Sequence, residues 1–251
     1  MRVGLFVTCL VDLYRPNVGF SAVELLESAG CEVDVPIGQT CCGQPAYNSG
    51  DREDARQIAR QAIEQFEGFD YVVAPSGSCA GMLKLHYPGL FEDEPEWRAR
   101  AEAFAGRVYE LTAFLVEVAG MEGVAANHAG SCTYHDSCSS QRELGVREQP
   151  RKLLASVQGL ELREMDDTEV CCGFGGTFCV KYPEISERMV SDKAAAVQAS
   201  GADTLLAGDL GCLLNIAGRL KREGSAVRVY HVAEVLAGRT DVPGLGDEEE
   251  A

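Results

Sequence analysis

Two adjacent cysteines followed by glycine occur twice in this chain, at Cys41-Cys42-Gly43 and at Cys171-Cys172-Gly173. Neighbouring side chains of an extended strand point to opposite faces, so two adjacent thiols serve one centre only where the backbone turns. Gly43 and Gly173 supply that turn, and a residue without a Cβ also lets backbone amides approach a bound group closely. A doubled Cys-Cys-Gly therefore demands a fold that brings two such turns to functional positions.

The doubling extends along the whole chain. Cys9 is matched by Cys138, Cys41-Cys42 by Cys171-Cys172, and Cys79 by Cys212, so that the halves read C-x31-C-C-x36-C and C-x32-C-C-x39-C. The segment Arg107-Val108-Tyr109 recurs as Arg228-Val229-Tyr230. These matches predict two pseudo-symmetric halves, residues 1–122 and 123–240, joined near 121–127, with an acidic disordered tail over 241–251.

Within each half, short apolar runs alternate with amphipathic stretches. Residues 3–8, 32–36 and 70–74 read as strands, and 21–28 and 76–85 as helices. Ala55, Ile58, Ala59, Ala62, Ile63 and Phe66 give 52–66 a helical period. The insert at 86–107 adds a loop and a helix. Strands alternating with helices predict an α/β fold with a mainly parallel sheet in each half, flanked by helices. Cys9 then follows a first strand, Cys41 and Cys42 a second, and Cys79 opens the helix after a third. The cysteine loops gather at the carboxyl edge of the sheet, where open α/β folds bind ligands.

Composition narrows the chemistry. Eleven cysteines among 251 residues, without a secretion signal, point to a reducing, cytoplasmic setting in which spaced thiols bind metal or carry redox chemistry. The apolar stretch 3–11 is short, lacks a small-residue cleavage site and runs into Asp12, so it reads as a buried strand. A net charge of −17 argues against nucleic acid or an anionic membrane as partner, and no 18-residue apolar run is present to form a transmembrane segment. A helix N-terminus favours thiolate, and four thiolates per half match the ligand count of an ordinary iron–sulfur cluster. The candidate ligands are Cys9, Cys41, Cys42 and Cys79 in one half and Cys138, Cys171, Cys172 and Cys212 in the other. Structural zinc favours short Cys-x2-4-Cys knuckles, which this chain lacks, and a thiol–disulfide reductase would use the same cysteines as catalytic groups.

Other residues carry two readings each. Cys31 and Cys132 lie in strands and read as small buried hydrophobes. Cys179, in the Gly-rich stretch after Cys172, is either packing or a redox-active neighbour. His135 and Asp136 precede Cys138, as a donor to a cluster or proton relay, or as a turn held by a His–Asp hydrogen bond; with Cys179 they are the weak catalytic candidates. His86, His128 and His231 read as structural. Gly173-Phe174-Gly175-Gly176 lacks both the Walker lysine and the dinucleotide spacing.

The words Cys42-Gly43-Gln44-Pro45-Ala46-Tyr47-Asn48-Ser49-Gly50, His135-Asp136-Ser137-Cys138, Cys171-Cys172-Gly173-Phe174-Gly175-Gly176-Thr177-Phe178 and Lys181-Tyr182-Pro183-Glu184-Ile185 resemble the lactate utilization protein A family. The wider pattern resembles the cysteine-rich CCG domain found in heterodisulfide reductases and in the glycolate oxidase iron–sulfur subunit. The resemblance covers about residues 1 to 240. It implies an iron–sulfur subunit, with one or two [4Fe-4S] clusters, of a complex oxidising L-lactate to pyruvate. The implied partners are a ferredoxin-like iron–sulfur subunit and a third lactate-utilization subunit. The alternative is a heterodisulfide or thiol–disulfide reductase subunit, and after it a zinc-stabilised interaction protein. The wider domain ends each half in Cys-x-x-Cys, where this chain has Ser76 and Asp209. Both are good helix N-caps, and an oxygen ligand to a labile iron is the other reading.

Overall fold

A computed structural model describes residues 1–247 of the protein. Eight strands form two four-stranded parallel sheets. The first contains β1 (Arg2–Leu5), β2 (Glu32–Asp34), β3 (Tyr71–Ala74) and β4 (Val108–Glu110) in the order β2-β1-β3-β4. The second repeats that order with β5 (Asn127–His135), β6 (Gln158–Leu162), β7 (Thr204–Ala207) and β8 (Arg228–His231), as β6-β5-β7-β8. In each half the first strand pairs on both sides, Val3 with Val33 and Tyr71, Cys132 with Leu162 and Thr204. The leading cysteine loop therefore leaves from the middle of a sheet.

Local sequence explains the helices that cover the sheets. Asp51 caps the helix Arg52–Phe66 by accepting from the Asp54 amide at 3.1 Å, and Ala55, Ala59, Ala62, Ile63 and Phe66 form its buried stripe. That stripe sits close to the sheet because β1 carries Gly4. A Cβ there would lie 2.7 Å from the Phe66 ring. The helix opened by Ser76 widens into a π-turn over Met82–His86, and similar turns occupy Phe114–Val118 and Ser139–Glu143.

The two halves share one interior. Val3, Leu5 and Val73 of the first sheet belong to the same buried cluster as Tyr134, Leu206 and Val229 of the second. Phe6, Val72, Ala74 and Val108 instead meet a separate cluster under the helices of the first half. Polar contacts close the seam. Arg15 Nε lies 2.8 Å from Glu234 Oε1, which also accepts from Asn17 Nδ2 at 2.8 Å, and Glu234 is fully buried. The Gly77 amide donates to the Gly208 carbonyl at 3.3 Å.

The expected tail gives way to a folded segment over 241–247. The Leu245 amide donates to the Val229 carbonyl at 2.8 Å, Tyr230 Oη donates to the Val242 carbonyl at 2.9 Å, and Leu245 is buried. Leu245 adds to the edge of β8, which an acidic composition alone does not reveal. The rest of that tail, 248–251, lies outside the described residues.

Candidate metal centre

Each half folds its four repeated cysteines into one group. Thr8 caps the helix that begins at Cys9 by accepting from the Val11 amide at 3.4 Å, and Ser137 accepts from the Ser140 amide at 3.3 Å beside Cys138. The Cys-Cys-Gly turns are near copies. Gly43 and Gly173 both have φ of 82°, and their amides donate to Cys41 Sγ at 3.5 Å and Cys171 Sγ at 3.4 Å. A side chain at Gly173 would meet the Ser186 carbonyl oxygen at 2.9 Å, so the turn requires glycine on two grounds. The second cysteine of each pair is pinned through its carbonyl, by Tyr87 Oη to Cys42 at 3.0 Å and by Asn215 Nδ2 to Cys172 at 2.9 Å.

Cys9 Sγ lies 3.7 Å from Cys41 Sγ, and Cys42 reaches both Cys41 and Cys79. Cys171 likewise reaches Cys138 and Cys172, and Cys172 reaches Cys212. All eleven cysteines are free thiols. Hydrogen bonds from Cys42 and Cys9 pull Cys41 down to about 3, and those from Cys138 and Cys172 pull Cys171 down to about 2; the glycine amides add to both. The neighbours move the other way. Sharing a proton with Cys41 and with Cys171 raises Cys9 and Cys138, and burial adds to the rise. Cys42 and Cys172 are raised for the same two reasons. Within each group the first cysteine of the Cys-Cys pair is therefore the thiol that its neighbours favour as thiolate.

Ser76 and Asp209 are N-caps, as their residue types suggest. Ser76 Oγ accepts from the Cys79 amide at 3.4 Å and Asp209 Oδ1 from the Gly211 amide at 3.2 Å. Asp209 also bridges the halves through Oδ2, accepting from Ser76 Oγ at 3.2 Å and the Ser78 amide at 2.9 Å.

Besides a cleft of about 380 Å³ that reaches Cys9 and Cys41 from the side of Val35 and Ile37, two cavities each take in all four cysteines of one half. One, of about 290 Å³, has Cys138, Cys171, Cys172 and Cys212 in its wall, and the other, of about 210 Å³, has Cys9, Cys41, Cys42 and Cys79. Gln44, Ser78, Phe174, Gly176 and Asp209 line both. Phe174 seats its ring over Gly211, where a Cβ would come within 2.5 Å. The sequence marks that loop only by its glycines, and its role as a shared wall depends on how the halves dock.

Several expectations change. Asp136 forms no bond to His135; its carboxylate is gripped by Arg151, Nη1 to Oδ1 and Nη2 to Oδ2 both at 2.9 Å. His135 is fully buried with neither ring nitrogen hydrogen-bonded, and burial, helped by Lys193, pushes its pKa down to about 4. A ring nitrogen of His135 and the sulfurs of Cys172 and Cys212 lie within 4.8 Å of one another. His86, read as structural, lines the 290 Å³ cavity beside Cys138, Cys171, Cys172 and Cys212, with its Nε2 3.7 Å from Glu143 Oε1. Cys179 lines neither cavity, and its Sγ lies 3.8 Å from the Gly176 carbonyl. Cys31 and Cys132 are buried in the core, and burial drives Cys132 up to about 12. His128 is buried against the Tyr230 ring, while His231 Nδ1 accepts from the Ala233 amide at 3.2 Å as a helix cap.

Glu110 and His231 end equivalent strands, β4 and β8, and both cap the following helix. Burial raises Glu110 to about 7 and lowers His231 to about 4. Folded Glu110 keeps its proton up to about pH 7 whereas the unfolded chain loses it near 4.5, so its contribution is full below 4.5 and lost as pH rises through 7. Glu110→Gln keeps an acceptor for Ala113 N and Thr112 Oγ1. Between about pH 4.5 and 7.5 its stability in denaturant should therefore improve relative to the parent by about 3 kcal/mol. A pH-independent difference would refute the raised acid.

The cysteine-rich CCG domain matches residues 3–84 and again 132–217. Lactate utilization protein A of Geobacillus sp. (strain WCH70) is 53% identical over 239 residues, covering 95% of this chain and all of that protein. The protein of the same name from Bacillus subtilis (strain 168) is 52% identical, with the same coverage. Among solved structures, a hypothetical protein from Helicobacter pylori superposes with a TM-score of 0.69 at 11% identity, over 96% of this chain and 49% of that one, a likeness of fold. With two CCG domains and more than half of its residues shared along the full length of those relatives, this chain belongs to the lactate utilization protein A family.

Proposed function

We propose that this protein is the iron–sulfur electron-transfer subunit of a complex that oxidises L-lactate to pyruvate, with one cluster-binding site in each half. The observation that carries this is the repeated group of four cysteines, each with a glycine amide aimed at a sulfur. Cys9, Cys41, Cys42 and Cys79 would hold one centre, and Cys138, Cys171, Cys172 and Cys212 the other. The donor chemistry fits. One thiol in each group ionises readily, and free thiols rather than disulfides face the cavities. When bound, an iron–sulfur cluster accepts and passes single electrons.

The chain's own residues orient the sulfurs, donate amides to them and shield them from water. No paired base and arginine clamp for a 2-hydroxy acid lines either cavity among the described residues. Carbon chemistry is therefore assigned to a partner, in keeping with a ferredoxin-like subunit and a third subunit acting beside this chain. The relatives' name supports the place in lactate utilization.

The test is metal and sulfide analysis on protein purified without oxygen. Iron and acid-labile sulfide in roughly equal amounts, with visible absorption that bleaches on reduction, are expected. One zinc per half with no sulfide would reject the proposal.

A further inference from the structure

The two centres are not chemically alike. Three residues before the leading cysteine, the first half has Phe6 and the second has His135. Phe6 lies in an apolar cluster with the Phe66 ring 5.6 Å away. His135 ends the central strand β5, where pairing with Ala207 of β7 fixes its backbone. Its ring is fully buried, yet both nitrogens lack a hydrogen-bond partner. Buried polar groups are nearly always satisfied, so an orphaned imidazole beside sulfur ligands points to a partner of another kind.

The neighbours that would satisfy it are committed elsewhere. Asp136 is held by Arg151, and the buried Lys193 donates to the Asp167 and Thr168 carbonyls. The Thr168 carbonyl lies by the ring but already accepts from the Asp136 amide and from Lys193, and the sulfurs of Cys172 and Cys212 lie within 4.8 Å of a ring nitrogen. Donors this close together can converge on one metal centre.

We propose that His135 is a direct ligand of the second-half centre, which then has a mixed sulfur and nitrogen donor set while the first-half centre has sulfur alone. This rests on the iron–sulfur proposal above. His135 would add a neutral nitrogen donor to the four thiolates of the second half, a donor the first half has no counterpart for.

The experiment is pulsed electron paramagnetic resonance on dithionite-reduced protein, prepared without oxygen and labelled with 15N-histidine. Strong 15N coupling at one of two centres is expected, retained in His86→Gln and lost in His135→Phe. Iron and sulfide present without strong 15N coupling in the unaltered protein would overturn the histidine ligand and leave the cluster proposal standing. Coupling that survives in His135→Phe, or disappears in His86→Gln, would also overturn it. Absence of iron and sulfide would overturn both.

Discussion

Replacing Cys172 with serine should remove the second centre and leave the first. Cys172 is buried, contacts Cys171 and Cys212, and has its carbonyl fixed by Asn215. A serine there keeps the backbone turn but offers a poorer, harder ligand to a thiophilic metal. Iron and sulfide are expected to fall by about half relative to the parent. The thiols of the first half belong to a separate group, and their centre should persist with its own spectrum. Loss of all iron would show that the eight cysteines serve one centre, and unchanged iron would remove Cys172 from the ligands.

Replacing Glu234 with alanine should cost about 3–5 kcal/mol of stability, the expected loss when one partner of a buried ion pair is removed. Glu234 does three things at once. It pairs with Arg15, accepts from Asn17, and closes a capping box through the His231 amide, with Oε2 2.9 Å from that nitrogen. Arg15 would be left behind with little access to water, its side chain only 13% exposed. Glu234→Gln keeps an acceptor for Asn17 and should lose less. Denaturant unfolding measures both, and a loss below about 1 kcal/mol for the alanine variant would show that the seam does not depend on this pair.

Much of the site was legible because the chain states it twice. The eight repeated cysteines stand on loops after short apolar strands, and an internal match converts such spacing into two equivalent groups. The helix Arg52–Phe66 shows in its period, and Ser76 and Asp209 cap helices as serine and aspartate ordinarily do. What the sequence concealed depends on contacts between distant residues. Arg151 takes Asp136 away from His135 across 15 positions, and only the folded sheet shows that the imidazole is left without a partner. His86 looks ordinary until the seam places Glu143 beside it. The folded segment over 241–247 was hidden because Leu245 finds its place against β8 and the Val242 carbonyl its donor in Tyr230 only once the second sheet has formed.

The shared wall between the cavities has a consequence for how such a chain changes over generations. Tandem copies are ordinarily free to drift apart, one keeping the old task while the other explores. Here Phe174 and Gly176, encoded in the second copy, also shape the space over the first copy's cysteines, and Gln44 and Ser78 do the reverse. A substitution in either loop alters the walls of both cysteine cavities at once. Neither half can be deleted or exchanged without altering the other's surroundings.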